Sequence, residues 1–392
     1  MTTHTTYEAA DRIKRLPPYL FAEVDRLKRE LVAKGKDVID LGVGDPDLPT
    51  PDFIIEALHA GAKNPANHRY ALDQGNPEFR QAIANWYQTR FGVKLDPNTE
   101  ILPLIGSKEG IAHLPLAVLN PGDVSLVPDP CYPPYKSGTW FAGGEVSLMP
   151  LLRENHFLPD FTQIDAADLE KAKLLYINYP NNPTGACASL DFFKNVVSFA
   201  KEHQLIVCHD AAYTEVYYDG IRPPSFLEVA DAKSVAVEFH SLSKTFNMTG
   251  WRVGFAVGNA DVIRHLGKLK SNVDSGIFKA IQNAATEALK HGGKETERLN
   301  VIYQKRRDIV VNGFRAIGWN IPSPKATFYM WIPVPPGYTS AELCMKFLKD
   351  ANVVVVPGNG FGANGEGYFR ISLTIADARL EEAIERIKKI HK

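Results

Sequence analysis

Between about Ile101 and Gly258, short apolar runs rich in Val, Ile and Leu alternate with stretches of helical periodicity. That alternation is the pattern of a mostly parallel sheet covered by helices. The runs place strands at Ile101–Ile105, Val124–Val127, Glu145–Met149, Lys173–Asn178, Leu205–His209, Ser234–His240 and Trp251–Val257. Helices fit between most of them, Leu190–His203 for example. Beyond Asp261 the pattern changes. Long amphipathic helices reach to about Ile317, short strands fall near Tyr329–Ile332, Val353–Pro357 and Phe369–Leu373, and a final helix covers Ala376–His391. A helix near Leu20–Lys34 joins this second unit and makes it discontinuous. The expected fold class is therefore α/β, with a large domain over residues 49–286 and a smaller α+β domain from residues 1–48 plus 287–392. The pattern holds no internal repeat and no low-complexity linker.

A chain of 392 residues, 45% hydrophobic, is long enough for two cores. Its 44 basic and 45 acidic residues leave a net charge of −1, so it lacks the electrostatic footprint of a nucleic-acid or anionic-membrane binder. Small-molecule chemistry is the default. No apolar run has the length of a membrane span, and the first fifteen residues contain no apolar core; a cytoplasmic protein is expected. Cys131, Cys187, Cys208 and Cys344 are widely separated, which excludes a disulfide framework or zinc site and marks all four as buried small hydrophobes. No metal is expected. Gly42-Val43-Gly44 and Gly358-Asn359-Gly360-Phe361-Gly362-Ala363 lack the strand-to-helix context of a dinucleotide fingerprint.

The chemistry gathers at predicted strand ends. Ser241-Leu242-Ser243-Lys244 follows the strand Ser234–His240, and Arg252 lies eight residues further on. A lysine delivered there can form a Schiff base with an aldehyde while neighbouring hydroxyls and a guanidinium hold a phosphate of the same molecule, the wiring of a pyridoxal-phosphate site. Asp210, after the strand Leu205–His209, is suited to pair with a pyridine nitrogen and keep it protonated. His209 points to the other face and reads as a packed core histidine. Tyr213 and Asn182 are candidates for the phenolic oxygen of that ring, Asn182 within the turn Asn182-Pro183-Thr184-Gly185. Gly106-Ser107-Lys108 opens the apolar helix Ile111–Leu119 and offers backbone N–H groups to a phosphate. Tyr132 could stack on the ring or simply pack. Arg370, alone on an alternating strand, could hold an α-carboxylate in its fork.

As an ordered set, these residues resemble the fold-type I pyridoxal-phosphate enzymes of the aspartate aminotransferase family, from about Tyr19 to the C-terminus. The resemblance implies an amino-group transferase working in ping-pong fashion. Lys244 would be the Schiff-base lysine and Asp210 the pyridinium partner. Asn182 and Tyr213 would contact the ring oxygen, Ser107, Lys108, Ser241 and Arg252 the phosphate, and Arg370 the substrate carboxylate. It also implies a homodimer with shared active sites, in which Tyr70 reaches the partner's phosphate. Three segments, Pro18-Tyr19-Leu20-Phe21, Leu41-Gly42-Val43-Gly44-Asp45-Pro46-Asp47 and Pro357-Gly358-Asn359-Gly360-Phe361-Gly362, resemble the diaminopimelate aminotransferase subgroup. That resemblance places Gly44, Tyr19, Asp73, Lys108 and Tyr132 on the substrate, with an aspartate where glutamate is expected at Asp73. A distal ammonium and carboxylate would suit an acid plus a lysine. The alternatives are an aspartate, alanine or aromatic aminotransferase, and a β-lyase on the same scaffold.

Overall fold

The computed structural model describes residues 7–16, 22–71 and 74–390. Strand β1 (Ile39–Asp40) precedes a run of seven strands that form one sheet: β2 (Ile101–Leu104), β3 (Val124–Asp129), β4 (Glu145–Pro150), β5 (Ala172–Asn178), β6 (Ile206–Asp210), β7 (Ala236–Ser241) and β8 (Gly254–Gly258). Their order is β2-β8-β7-β6-β5-β3-β4. The pairs from β7 to β4 are parallel, while β8 runs antiparallel to both β7 and β2. The sheet is thus mostly parallel, as the alternation of runs and helices predicts.

Helices cover both faces, so side chains one residue apart on a strand enter different cores. Leu175, Ile177 and Val207 join the cluster that includes Phe79, Tyr87 and Phe193. Leu174, Tyr176 and Cys208 join the one that includes Ile111, Leu114 and Tyr135. Each fully buried aliphatic or aromatic side chain stabilises the fold by about 1.5–3 kcal/mol. That excess tolerates a few buried charges near the site.

A three-stranded antiparallel sheet is built from β9 (Tyr329–Pro333), β11 (Val356–Pro357) and β12 (Tyr368–Ser372), while β10 (Val353–Val354) pairs with β1. The single strand expected over Val353–Pro357 is therefore two short strands in different sheets. Helices Gly293–Arg315, Ser340–Ala351 and Asp377–Ile390 pack against them, and Ile39, Leu41, Leu299, Phe314, Phe369 and Ile384 share one core. Ala212, Tyr213, Val216 and Tyr218 also belong to that core, so the segment after β6 bridges the two units.

Two other expectations shift. The strand expected from Ser234 begins at Ala236, after a short helix Ala232–Val235; the one expected from Trp251 begins at Gly254, after a 3-10 turn. Cys131, Cys208 and Cys344 are buried, but Cys187 is exposed, just beyond the Asn182–Gly185 turn, which corrects its expected burial. Among the described residues no helix is long and apolar enough to cross a membrane and no metal-ligand cluster occurs.

Candidate active site

Parallel strands end together, and the C-terminal ends of β5, β6 and β7 deliver Asn178, Asp210 and Ser241 to one edge of the sheet. There a cavity of about 420 Å³ is lined by Gly44, Ser107, Tyr132, Asn182, Asp210, Tyr213, Ser241, Lys244 and Arg370, together with Tyr329 and Phe361. Its size is that of a small-ligand pocket.

Lys244 sits on the short helix Leu242–Thr245 rather than in the loop expected after β7. Its Nζ donates to Gly44 O at 3.4 Å and stands 5.7 Å from the Phe328 ring centre. Among the described residues it has no ion-pair partner. Burial pushes its pKa down; Tyr329 and Asp45 pull the other way, and the charges of Arg252 and Arg370 add to the lowering. Each of these lowering influences favours the neutral amine. Lys270 makes the contrast: it is more deeply buried than the half-buried Lys244, and its Nζ is held by Glu109 at 3.0 Å and Asp274 at 2.8 Å.

Asp210 is buried at the end of β6. Its Oδ2 accepts from Tyr135 Oη at 2.8 Å and its Oδ1 from Ala212 N at 3.3 Å. No cation among the described residues pairs with it, and burial raises its pKa despite those hydrogen bonds. A buried carboxylate of this kind is costly unless a positive group meets it. Tyr135, which the sequence reading passed over, stacks on Tyr176 at 4.8 Å and aims its hydroxyl at the acid.

Arg370 lies on β12 opposite Trp331 of β9. Its Nη1 donates to Asn182 Oδ1 at 2.8 Å and its Nη2 to Gly42 O at 3.0 Å, while its plane covers the Tyr329 ring at 4.0 Å. Its Nε is buried without a partner. Tyr329, also unforeseen, links two candidates, since Tyr213 Oη donates to Tyr329 Oη at 3.1 Å. The period-two alternation of Tyr329 and Trp331, opposite Ser372 and Arg370, was the signal that could have found it. Gly44 is forced to lack a side chain, because a Cβ there would meet the Tyr329 hydroxyl at 2.0 Å.

Gly106 caps the helix Ser107–Val118 with φ +76°, and a Cβ on it would lie 2.4 Å from Arg252 Nη2. Arg252 itself has φ +54° and donates from Nη1 to Thr249 O at 2.9 Å. The guanidinium thus packs against the first turn of the helix, where N–H groups and a cation converge on an anion. We expect Gly106→Ala to keep the fold while weakening anion binding by about tenfold or more, from about 1–3 kcal/mol of strain and a displaced Arg252; titration with inorganic phosphate measures it.

Lys108, Arg252 and Tyr70 do not line the cavity, and all three are exposed. Tyr19 and Asp73 lie outside the described residues.

Residues 36–387 match the family described as aminotransferase class I and II. The chain belongs to that family of pyridoxal-phosphate-dependent enzymes. Its relatives include the LL-diaminopimelate aminotransferase of Syntrophobacter fumaroxidans, 56% identical over 97% of this chain and 98% of the relative. That of Moorella thermoacetica is 54% identical over 98% of each chain. Among solved structures, apo-BacF from Bacillus subtilis superposes with a TM-score of 0.94 at 42% identity, covering 99% of both chains.

The residues present fit pyridoxal 5'-phosphate. Among the described residues the buried Asp210 is in no ion pair, the half-buried Lys244 is in none either, and a glycine-capped helix beside an arginine suits a phosphate.

Proposed function

We propose that the chain is an LL-diaminopimelate aminotransferase, exchanging an amino group between glutamate and tetrahydrodipicolinate in lysine biosynthesis. What carries the reading is identity of 54–56% to enzymes of that name over nearly the whole chain, joined to a cavity that gathers Lys244, Asp210, Asn182 and Arg370. Pyridoxal phosphate, when bound, supplies an aldehyde and an electron-withdrawing ring. Lys244 would be the amine that meets the aldehyde and the base that moves the proton from the substrate's Cα. Asp210 would hold the proton of the ring nitrogen, and Asn182 and Tyr213 would meet the ring oxygen. Tyr132 would cover the ring. Ser107, Ser241 and the N–H groups after Gly106 would bind the phosphate, with Lys108 and Arg252 closing on it from outside the cavity's lining.

Arg370 binds and orients the α-carboxylate, and its free Nε fits that task. We expect Arg370→Lys to raise KM for amino and keto acids about 10–100-fold, the worth of a charged hydrogen bond or two, with steady-state kinetics on both half-reactions as the check. Tyr70, 81% exposed, and the exposed Lys108 suit a homodimer in which partners complete each other's sites; Tyr19 and Asp73 belong to the same distal end, with Gly44 beside the substrate. The working division is a large domain over 49–286 and a small one from 1–48 plus 287–392, in a cytoplasmic enzyme.

The deciding assay measures glutamate formed from LL-diaminopimelate and 2-oxoglutarate, with meso-diaminopimelate and aspartate as comparators. LL-diaminopimelate should show the highest kcat/KM; preference for aspartate, or release of pyruvate and ammonia, refutes the reading.

A further inference from the structure

We infer that His209 is a doubly protonated imidazolium beneath the cavity that supports the charge of Asp210, and so acts as a positioning residue for the reaction. The inference rests on the reading that Asp210 faces the cofactor's ring nitrogen, but its geometry stands apart from that reading.

His209 is wholly buried. Its Nδ1 lies 2.7 Å from Glu238 Oε2 and its Nε2 lies 3.0 Å from the peptide oxygen of Tyr179. A carboxylate and a peptide oxygen can only accept, and a neutral imidazole has a single N–H. Only the doubly protonated ring satisfies both contacts. Turning the ring over would put carbon at both positions and lose both bonds.

Glu238 demands such a cation. Besides His209, its two oxygens accept from Tyr87 Oη at 2.7 Å, Ser225 Oγ at 2.7 Å, Phe226 N at 2.8 Å and His240 Nε2 at 3.2 Å. All five contacts can donate, and the Phe226 N–H can do nothing else, which suits a carboxylate. Burial pushes its pKa up, yet hydrogen bonds from and the charges of His209 and His240 outweigh that and hold it well below the usual range. The neighbouring arginine, Arg90, is already paired with Glu215 at 3.0 Å. His240 Nδ1 lies 3.5 Å from the Thr214 hydroxyl, which itself donates to Ala211 O at 3.2 Å. The carboxylate on one nitrogen and the peptide oxygen on the other are what assign a counter-charge to His209.

The groups around His209 are Glu238 on β7, Tyr179 beyond β5, Asp210 beside it on β6, and, across Glu238, Tyr87 and His240 with the Arg90–Glu215 pair behind. The rings of Phe193 at 5.2 Å and Phe226 at 6.0 Å close the pocket to water. Asp210 is the next residue and emerges on the opposite face of the sheet. Burial raises its pKa, and what opposes burial is the Tyr135 hydroxyl, the Ala212 N–H and the charges of His209 and His240. In a dry interior a positive ring one residue away is felt strongly.

The first test is ring-nitrogen NMR of the holoenzyme carrying 15N-histidine, with His209→Asn assigning the signal among the 11 histidines. At about pH 7 both His209 nitrogens should carry protons; one bare nitrogen overturns the inference. The second test is kinetic. His209→Asn should raise the acid limb of the kcat/KM profile by about one pH unit and weaken cofactor binding about tenfold, the equivalent of one unit of carboxylate pKa. A merely structural histidine would lower the melting temperature and leave that limb in place, which also overturns the inference. If the variant does not fold, Glu238→Gln serves both to assign the signal and as a charge test: His209 should then lose its second proton, and a ring that keeps it in that variant contradicts the proposed pairing. Wild-type protein with no cofactor affinity would sink the function reading and this inference with it. A singly protonated His209 in a coloured, active enzyme sinks this inference alone.

Discussion

Replacing Lys244 by alanine is expected to remove turnover and the visible colour of the bound cofactor together, with kcat falling at least about 10³-fold. Truncation leaves the cavity's other walls in place, since among the described residues the Lys244 side chain makes one weak hydrogen bond, to Gly44 O at 3.4 Å. The variant should therefore fold, and it should still take up cofactor through the Ser107–Arg252 side. Removing a half-buried amine that no described acid pairs with relieves desolvation rather than breaking an ion pair, so its melting temperature should not fall. Lys270→Ala should do the opposite: it strips a buried cation from Glu109 and Asp274 and destabilises the chain by about 3–5 kcal/mol. Absorbance spectra, steady-state rates and thermal melts on the two variants separate a chemical lysine from a structural one.

Asp210→Asn is the second large effect. Asparagine keeps the shape: its Oδ1 can accept from Ala212 N and its Nδ2 can donate to the Tyr135 hydroxyl, where the two carboxylate oxygens now accept at 3.3 and 2.8 Å. It cannot hold a proton on a ring nitrogen, so kcat should fall by about 10²–10⁴-fold. Stability should move the other way in the cofactor-free protein. A carboxyl whose folded pKa is raised, here chiefly by burial, binds its proton more tightly folded than unfolded. Ionising it therefore destabilises the fold progressively as pH rises from the ordinary carboxylate range through the raised folded value. Apo Asp210→Asn should melt no lower than apo wild type near neutral pH. The added stability that cofactor confers should shrink, because a ligand stabilises only through its affinity for the folded state. A lower apo melting temperature together with full activity would contradict both expectations.

Much of this was legible in the chain because strand ends and turn residues are local. Asp210, Lys244 and Asn182 follow apolar runs directly, and a parallel sheet must bring the ends of such runs together. Arg370 was legible as a lone charge on an alternating strand. Other features depend on chain reversals and long-range packing that no local run encodes. The antiparallel course of β8 is one, since Gly254–Gly258 looks like its parallel neighbours. The parting of Val353–Pro357 between two sheets is another, since five apolar residues in a row give no period to break. Tyr135 and Tyr329 read as ordinary core aromatics, and their roles come from partners 75 and 116 residues away. His209 was legible as buried, yet its charge becomes visible only with Glu238 and the Tyr179 oxygen in place. Cys187 departed from expectation because the stretch after the Asn182–Gly185 turn leaves the core.

One lysine of this chain carries the cofactor in the proposed enzyme, and chemical reduction of the coloured holoenzyme followed by peptide mass analysis identifies it directly. Borohydride should fix the cofactor to the peptide holding Lys244 and to no other. An adduct on Lys108 or Lys270, or no adduct on a fully coloured enzyme, would contradict the account.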